Sequence, residues 1–373
     1  MRKVGIVTFF SNYNYGSVLQ AFALAQFLLQ KGYCAEIIDY QTNINRFNRR
    51  IRAATLLNRA FVFLVHPKIW KLTLRSMKNA NKAIEMLPSE TIKQFDTFIK
   101  NVLKPYSGVY HHYSDFDAFI CGSDQIWQVS APGLNKVFFL RFTVPQKRIA
   151  YAVSLGSIAI PKYNEKQFKR YVNSFHAVSV RESTSKRLIE DICNQEVTHV
   201  LDPTLLIGRV FWNDLISKID GRRNYVLCYF LDECKDSDYI VLLAKNRNLQ
   251  VLWIETGLAN PNGSEKISPS PIEFISLIKH ADFVFTDSFH ACCFSFLFEK
   301  SFYVIRRNYH GYPAQHIRIE ELLTMTKMTD RQLNYCTEAE VLEPISQEKY
   351  KGANRVFSEY RDRSAQFLEN SLK

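Results

Sequence analysis

Residues 3 to 10, KVGIVTFF, form an apolar run rich in β-branched side chains, and the polar loop SNYNYG ends it. The next stretch, SVLQAFALAQFLLQ, is predicted to be a helix stopped by Gly32, after which AEIIDY at 35 to 40 returns as a second extended run. A strand, a helix and a strand in that order leave few folds open. Parallel strands need a long crossover whose helix covers one face of the sheet, so apolar strands alternating with helices imply a parallel sheet covered on both faces.

The pattern recurs. DAFIC at 117 to 121, RIAYAVS at 148 to 154, HAVSV at 176 to 180 and EVTHVL at 196 to 201 are predicted strands, the last punctuated by Asp202-Pro203-Thr204. A second series runs through YVLCYFL from Tyr225, LQVLWI at 249 to 254, FVFT at 283 to 286 and FYVI at 302 to 305. Phe357, Tyr360, Phe367 and Leu368 fall at helical intervals near the C-terminus. At roughly 100 to 200 residues per domain, a chain of 373 residues is expected to hold two. The expected fold class is α/β, with two Rossmann-like domains. The first covers 1–205 and carries a basic helical insertion at about 41–105. The second covers 206–338, and 339–373 is expected to be a terminal helix packed back on the first. No short-period repeat is present, which argues against a solenoid.

A hydrophobic fraction of 47% excludes a disordered chain. The eight cysteines contain no C-x-x-C pair and read as small buried hydrophobes in a reducing compartment. No stretch approaches the ~18 apolar residues of a membrane span, and the opening run is too short for a signal peptide. The expected location is the cytoplasm.

The charge is uneven. Of a net +12, ten charges come from residues 41 to 84, which hold ten Lys/Arg and no acid. Lys68, Lys71, Arg75, Lys78 and Lys82 share one helical face, with Trp70, Leu74, Met77 and Ile84 opposite. One reading is a helix packed on its own domain with a solvated basic face. The other is docking of 60–84 on an anionic surface at the inner face of a membrane. Nucleic acid is not an expected partner, because the stripe carries no recognisable reading motif.

Ligands of open parallel sheets bind beyond the carboxyl ends of the strands. The first such loop has no G-x-G-x-x-G, so a dinucleotide is unsupported. Its Asn12, Asn14, Gly16 and Ser17 suit an anion or a sugar hydroxyl at a helix start, or plain capping. The second, from Gly122 to Trp127, presents Ser123, Asp124 as a candidate base and Trp127 as a sugar-stacking surface; a helix cap with a core tryptophan is the alternative. The third puts Arg181 at a strand end, where a guanidinium can grip a carboxylate or phosphate, or be satisfied by Glu182. The fourth is Asp287-Ser288-Phe289-His290 before ACCFSFLFEK, with His290 at a helix start, suited to a phosphate and to proton transfer, and Asp287 and Ser288 able to orient it. Arg306, Arg307, His310 and Arg318 add a second group of cations. No spacing supports a metal site, and there is neither a nucleophile elbow nor a Walker loop.

Together these motifs resemble the polysaccharide pyruvyl transferase family. The carriers are GIVTFFSNYNYGSVLQAFAL, DAFICGSDQIW, RIAYAVSLGS, SVRES, LDPTLL and FVFTDSFHACCFSFLF, which span residue 4 to about 300 outside the basic insertion. The resemblance implies two domains facing across a cleft, as in glycosyltransferases of the B type. It implies phosphoenolpyruvate as donor substrate, with no further cofactor, and a polysaccharide or lipid-linked sugar as acceptor. It matches Arg181 to the family's strand-end arginine and His290 to its D-S-F-H histidine, with a further cation at Arg306, Arg307 or Arg318. The family commonly has glycine after that histidine, where this chain has Ala291.

Phosphoenolpyruvate carries a carboxylate and a phosphate, so cations are needed to bind it and to stabilise the departing phosphate. On this reading His290 binds phosphate and acts as acid, Arg181 clamps a donor anion and Asp124 is a candidate base. The competing readings are a nucleotide-sugar glycosyltransferase of the same plan and a catalytically silent glycan-binding protein.

Overall fold

A computed structural model of the chain describes residues 1–40, 63–65, 71, 82, 84–107, 110–130, 132–219, 222–307 and 316–373. Most of the predicted basic helix, Lys68, Arg75 and Lys78 included, lies outside the described residues, as does His310.

Two parallel six-stranded sheets carry the fold. The first is built from β1 (Lys3–Val7), β2 (Cys34–Ile37), β3 (Ala118–Cys121), β4 (Arg148–Val153), β5 (Ala177–Val180) and β6 (Val197–His199), in the order β2-β1-β3-β4-β5-β6. The second holds β7 (Tyr225–Tyr229), β8 (Gln250–Ile254), β9 (Glu265–Ile267), β10 (Phe283–Thr286), β11 (Ser301–Ile305) and β12 (Gln332–Leu333), in the order β12-β11-β10-β7-β8-β9. These are the two Rossmann-like halves that the alternating pattern predicts. Two strands escaped that pattern. β9 reads Glu-Lys-Ile and β12 is Gln-Leu; both are short edge strands, with no need for a continuous apolar run.

Each order reverses once. In the first sheet the chain leaves β1 for β2 on one side and returns to β3 on the other. In the second it leaves β7 for β8 and returns to β10. Such switch points open a crevice at the carboxyl ends of the strands. The loops after β1, β3, β7 and β10 therefore converge by topology, and three of them carry candidate residues.

The halves share one core. Helix α1 (Tyr15–Gln30) is apolar nearly all round and buried from Tyr15 to Ala25, as suits a helix between two layers. Its first residue, Tyr15, stacks on Phe274 of the second half with ring centres 4.3 Å apart, and its hydroxyl donates to the Pro269 carbonyl. Trp212, beyond the first sheet, meets Phe22 of α1 and Phe294 of the second half. The C-terminal helix, Gln347–Ser371, returns over both halves: Ser364 Oγ accepts from Leu201 N on the first, and Phe357 packs on Phe296 of the second. Among the described residues no helix is long and apolar enough to cross a membrane.

Candidate active site

The loop after β3 turns sharply. Gly122 takes φ +118, and a Cβ there would lie 1.9 Å from the Tyr151 carbonyl oxygen, so glycine lets the chain bend against β4. The turn sends Ser123 and Asp124 inward. Asp124 Oδ2 accepts from Ser17 Oγ at 2.9 Å, and its Oδ1 faces Arg181 Nη2 at 3.2 Å. Ser123 Oγ bonds Asp202 Oδ2 at 2.9 Å.

Arg181 is the centre of this cluster and is almost sealed from solvent. Its Nη1 meets Asp202 Oδ2 at 2.6 Å and its Nε meets Glu182 Oε1 at 3.1 Å. Its guanidinium also lies 4.6 Å over the Phe289 ring. Three carboxylates from three strand ends thus surround one cation. Burial would lower the Arg181 pKa, but Asp202, Glu182 and Asp124 outweigh it and push it up.

Asp202 joins the two halves. It follows β6 and caps the short helix at Pro203, with Oδ1 accepting from Thr204 N at 3.0 Å. Its Oδ2 lies 3.5 Å from His290 Nε2. That separation is long for a hydrogen bond and short for an ion pair with imidazolium. Burial would raise the Asp202 pKa, but His290, Arg181 and the Thr204 N–H hold it well below the usual carboxylate range.

His290 stands on the first turn of helix α2 (Phe289–Leu297 in the second half), which Ser288 caps by accepting from Ala291 N. Its ring lies against the start of α1: a Cβ on Gly16 would sit 1.9 Å from His290 Nδ1. Only glycine leaves room for the imidazole there. Asp287 holds the loop from below, accepting from Leu231 N at 2.8 Å and Asp232 N at 3.0 Å across the β7/β10 switch point. It also pairs with Arg307 Nε at 2.7 Å. Burial pushes the Asp287 pKa up against those attractions.

Ser17, Gly16, Ser123, Asp124, Arg181, Ser288 and His290 are thus brought together, while Asp287 and Arg307 support the loop beneath. Asn14 is a cap, its Oδ1 accepting from Ser17 N, and Asn12 is exposed at the rim. Four expected roles need correction. Trp127 is no stacking surface: it is fully buried, lies parallel to Phe139 with centres 4.9 Å apart, and donates to the Phe138 carbonyl. Arg306 is turned to solvent and pairs with Glu320. Arg181 has its nitrogens occupied by protein carboxylates and is not displayed as a clamp. Asp124 is a poor base, because Arg181, His290 and Arg318 outweigh burial and lower its pKa.

Arg318 completes the cluster from the second half, with Nη1 3.9 Å from Asp124 Oδ1. It lines a cavity of about 520 Å³ with Arg181, Asp202, Phe289, Thr184 and Tyr360. At the cavity wall Glu321 reaches from the helix Ile317–Met325 to the start of Ser183–Ile192, accepting from Ser183 N and Thr184 N. Ala291 is buried within its helix and is not among the cavity-lining residues. Sequence reasoning missed Asp202 and Glu321. The signal for Asp202 was present, since Asp-Pro-Thr at a strand end is a helix cap facing the ligand edge of the sheet. Glu321 carries no local signal, because its partners lie 137 and 138 residues away.

A family model for polysaccharide pyruvyl transferases matches residues 14–309, a span that holds the whole cluster except Arg318 and the Glu321 wall. No curated protein sequence matches the chain. Solved structures with a similar chain path include UDP-GlcNAc 2-epimerase from Neisseria meningitidis bound to UDP-GlcNAc, at 11% identity and TM-score 0.47, covering 100% of this chain and 99% of that one. A glycotransferase of kitacinnamycin is 12% identical with TM-score 0.46 over the same shares.

Two substitutions test the assembly. Asp202→Asn leaves Arg181 and His290 short of a buried counter-charge and is expected to destabilise the protein by about 3–5 kcal/mol in urea unfolding at neutral pH. Because the folded pKa of Asp202 lies below its unfolded value of about 3.9, its stabilisation is full at neutral pH and fades as pH falls below that value. The cost of Asp202→Asn should therefore shrink towards low pH; a cost independent of pH would remove the carboxylate charge from the account. Gly16→Ala would ordinarily favour a helix by about 1 kcal/mol. Here the methyl meets the His290 ring, so a lower Tm is expected, and a Tm at or above that of the unsubstituted protein would show that the ring swings aside.

Proposed function

Since the chain belongs to the polysaccharide pyruvyl transferase family, we propose that this transferase moves a pyruvyl group from phosphoenolpyruvate to a sugar of a polysaccharide or lipid-linked oligosaccharide and releases phosphate. The observation that carries this reading is the His290–Asp202 pair at the junction of the halves, beside a cavity that Arg318 lines. A carboxylate beside an imidazole orients the ring for proton transfer.

In the proposed reaction His290 gives its proton to the methylene carbon of the donor, leaving C2 electrophilic. A sugar hydroxyl adds to C2, and the neutral imidazole takes the hydroxyl proton. The bond from C2 to the bridging phosphate oxygen then breaks, the electron pair leaving with phosphate. A second sugar hydroxyl adds to C2 and closes the ketal, its proton passing to the released phosphate. Arg318 is the cation assigned to the donor, because it lines the cavity from the second half. Arg181 holds Asp124, Glu182 and Asp202 in place, and through Asp202 it positions His290.

A charge count explains why Arg181 cannot serve as the clamp. Its single positive charge already faces three carboxylates, Asp124, Glu182 and Asp202. His290 and Arg181 are both buried. The donor approaches through the cavity, which Arg181, Asp202 and Arg318 line.

The first test is a thermal-shift titration with phosphoenolpyruvate beside uridine and guanosine diphosphates, since a ligand of the folded state raises Tm. Stabilisation by phosphoenolpyruvate, with phosphate released once acceptor is added and both lost in His290→Ala, is the expected outcome. Stabilisation by a nucleotide instead would replace this reading with glycosyl transfer, and glycan binding without phosphate release would make the protein a silent binder.

The charge also supports a location. The ten uncompensated cations of residues 41 to 84 adjoin Leu64 and Val65, which are helical and exposed at 81% and 54%. Apolar exposure beside basic charge supports peripheral docking on an anionic inner membrane face, near a lipid-linked acceptor. Salt-sensitive flotation with anionic liposomes, abolished by neutralising Lys68, Lys71, Arg75, Lys78 and Lys82, is expected; flotation indifferent to those changes would refute it.

A further inference from the structure

Two thiols meet away from the cluster just described. Cys234 follows β7 and Cys336 follows β12, 102 residues later, and their Sγ atoms lie 3.2 Å apart. A disulfide needs about 2.05 Å, so an approach of roughly 1 Å separates the pair from a bond. Cys336 is fully buried, whereas Cys234 is half-exposed. The Cys234 S–H donates to the Lys235 carbonyl at 3.6 Å, which leaves its sulfur to accept from Cys336. Metal ligation does not explain the pair, since no group of three His, Cys, Asp or Glu among the described residues could hold an ion.

The position matters more than the contact. In the second sheet β10 and β11 lie between β7 and β12. The segments that follow those inner strands carry Asp287 and Arg307, the pair beneath His290. The Cys234 segment is tied to them, because Leu231 N and Asp232 N donate to the Asp287 carboxylate. The Cys336 segment is tied to them as well, because Arg306 N donates to the Leu333 carbonyl. A covalent link between the two thiols would span the carboxyl edge of the sheet and brace the Asp287–Arg307 pair from both sides.

We propose that Cys234 and Cys336 form a reversible disulfide under hydrogen peroxide, a redox clip across the carboxyl ends of the second sheet. Cys234, the accessible thiol, attacks the peroxide and becomes a sulfenic acid as one water leaves. The Cys336 sulfur then attacks the Cys234 sulfur, the S–O bond breaks, and a second water departs. Two thiols lose two electrons and two protons, and the peroxide O–O bond takes up both. A dithiol reverses the change. The hydrogen bond with Cys336 and then burial push the Cys234 pKa up, so the first step is expected to quicken as pH rises.

The test uses the full chain, treated with hydrogen peroxide across pH 7 to about 9, alkylated, and digested without reduction. The expected result is one cross-linked peptide pair joining Cys234 to Cys336 and two fewer titratable thiols than the eight of the reduced chain. A rise in Tm reversed by dithiothreitol should accompany it. Cys234→Ser, at a half-exposed site, should abolish the cross-link and the Tm shift while the protein remains folded. Both cysteines recovered unlinked, a bond from Cys234 to Cys228, or a Tm shift that persists in Cys234→Ser would each overturn the proposal.

Discussion

A guanidinium that is 1% exposed cannot stay charged in a protein interior without partners, and the arrangement of this molecule follows from how Arg181 is partnered. Its three carboxylates come from separate places: Asp124 after β3, Glu182 after β5 and Asp202 after β6. Each must reach the same cation, so the carboxyl ends of three strands are drawn into one register. Removing a partner would leave a charge uncompensated in a medium of low dielectric, which costs far more than a surface ion pair contributes. Asp202 then passes the constraint to the second half, because the oxygen that meets Arg181 also faces His290.

Apolar packing sets the same junction from the other side. Tyr15 opens α1 and is stacked on Phe274, which fixes the start of that helix against the second half. Gly16 follows at once and leaves the space that the His290 ring occupies. Ser17 comes next and holds Asp124. Three consecutive residues thus make an apolar anchor, a cradle and a hydrogen bond. The small residues at that turn are accounted for by what approaches them, without a requirement for helix capping, which Asn14 already meets.

How much of this was legible follows from where the information resides. The strands that are buried on both faces are apolar runs, and the residues beyond their ends were found because ligand edges follow from the topology. Roles were harder to read. Trp127 carries the same letter whether it stacks on a sugar or on Phe139, and only the packing of Phe139, Phe168 and Phe175 around it decides. Arg181 reads as an anion clamp in the sequence because Asp202, its closest partner, lies 21 residues later. Arg306, Arg307 and Arg318 could not be ranked from the sequence, since their difference lies in what faces them: Glu320 at the surface, Asp287 beneath the loop, and the cavity. The edge strands β9 and β12 went unread because exposed, short segments have no pattern to show.

The charge balance bears on what any substrate must do here. An anionic ligand gains little from Arg181 while three carboxylates hold that cation. Arg318 lines the cavity and lies 3.9 Å from Asp124. It reaches the cluster from the second half, whereas Asp124 and Asp202 belong to the first. The cation and the imidazole therefore belong to one half and their carboxylate partners to the other, so the stacking of Tyr15 on Phe274 that joins the halves also holds His290 beside Asp202.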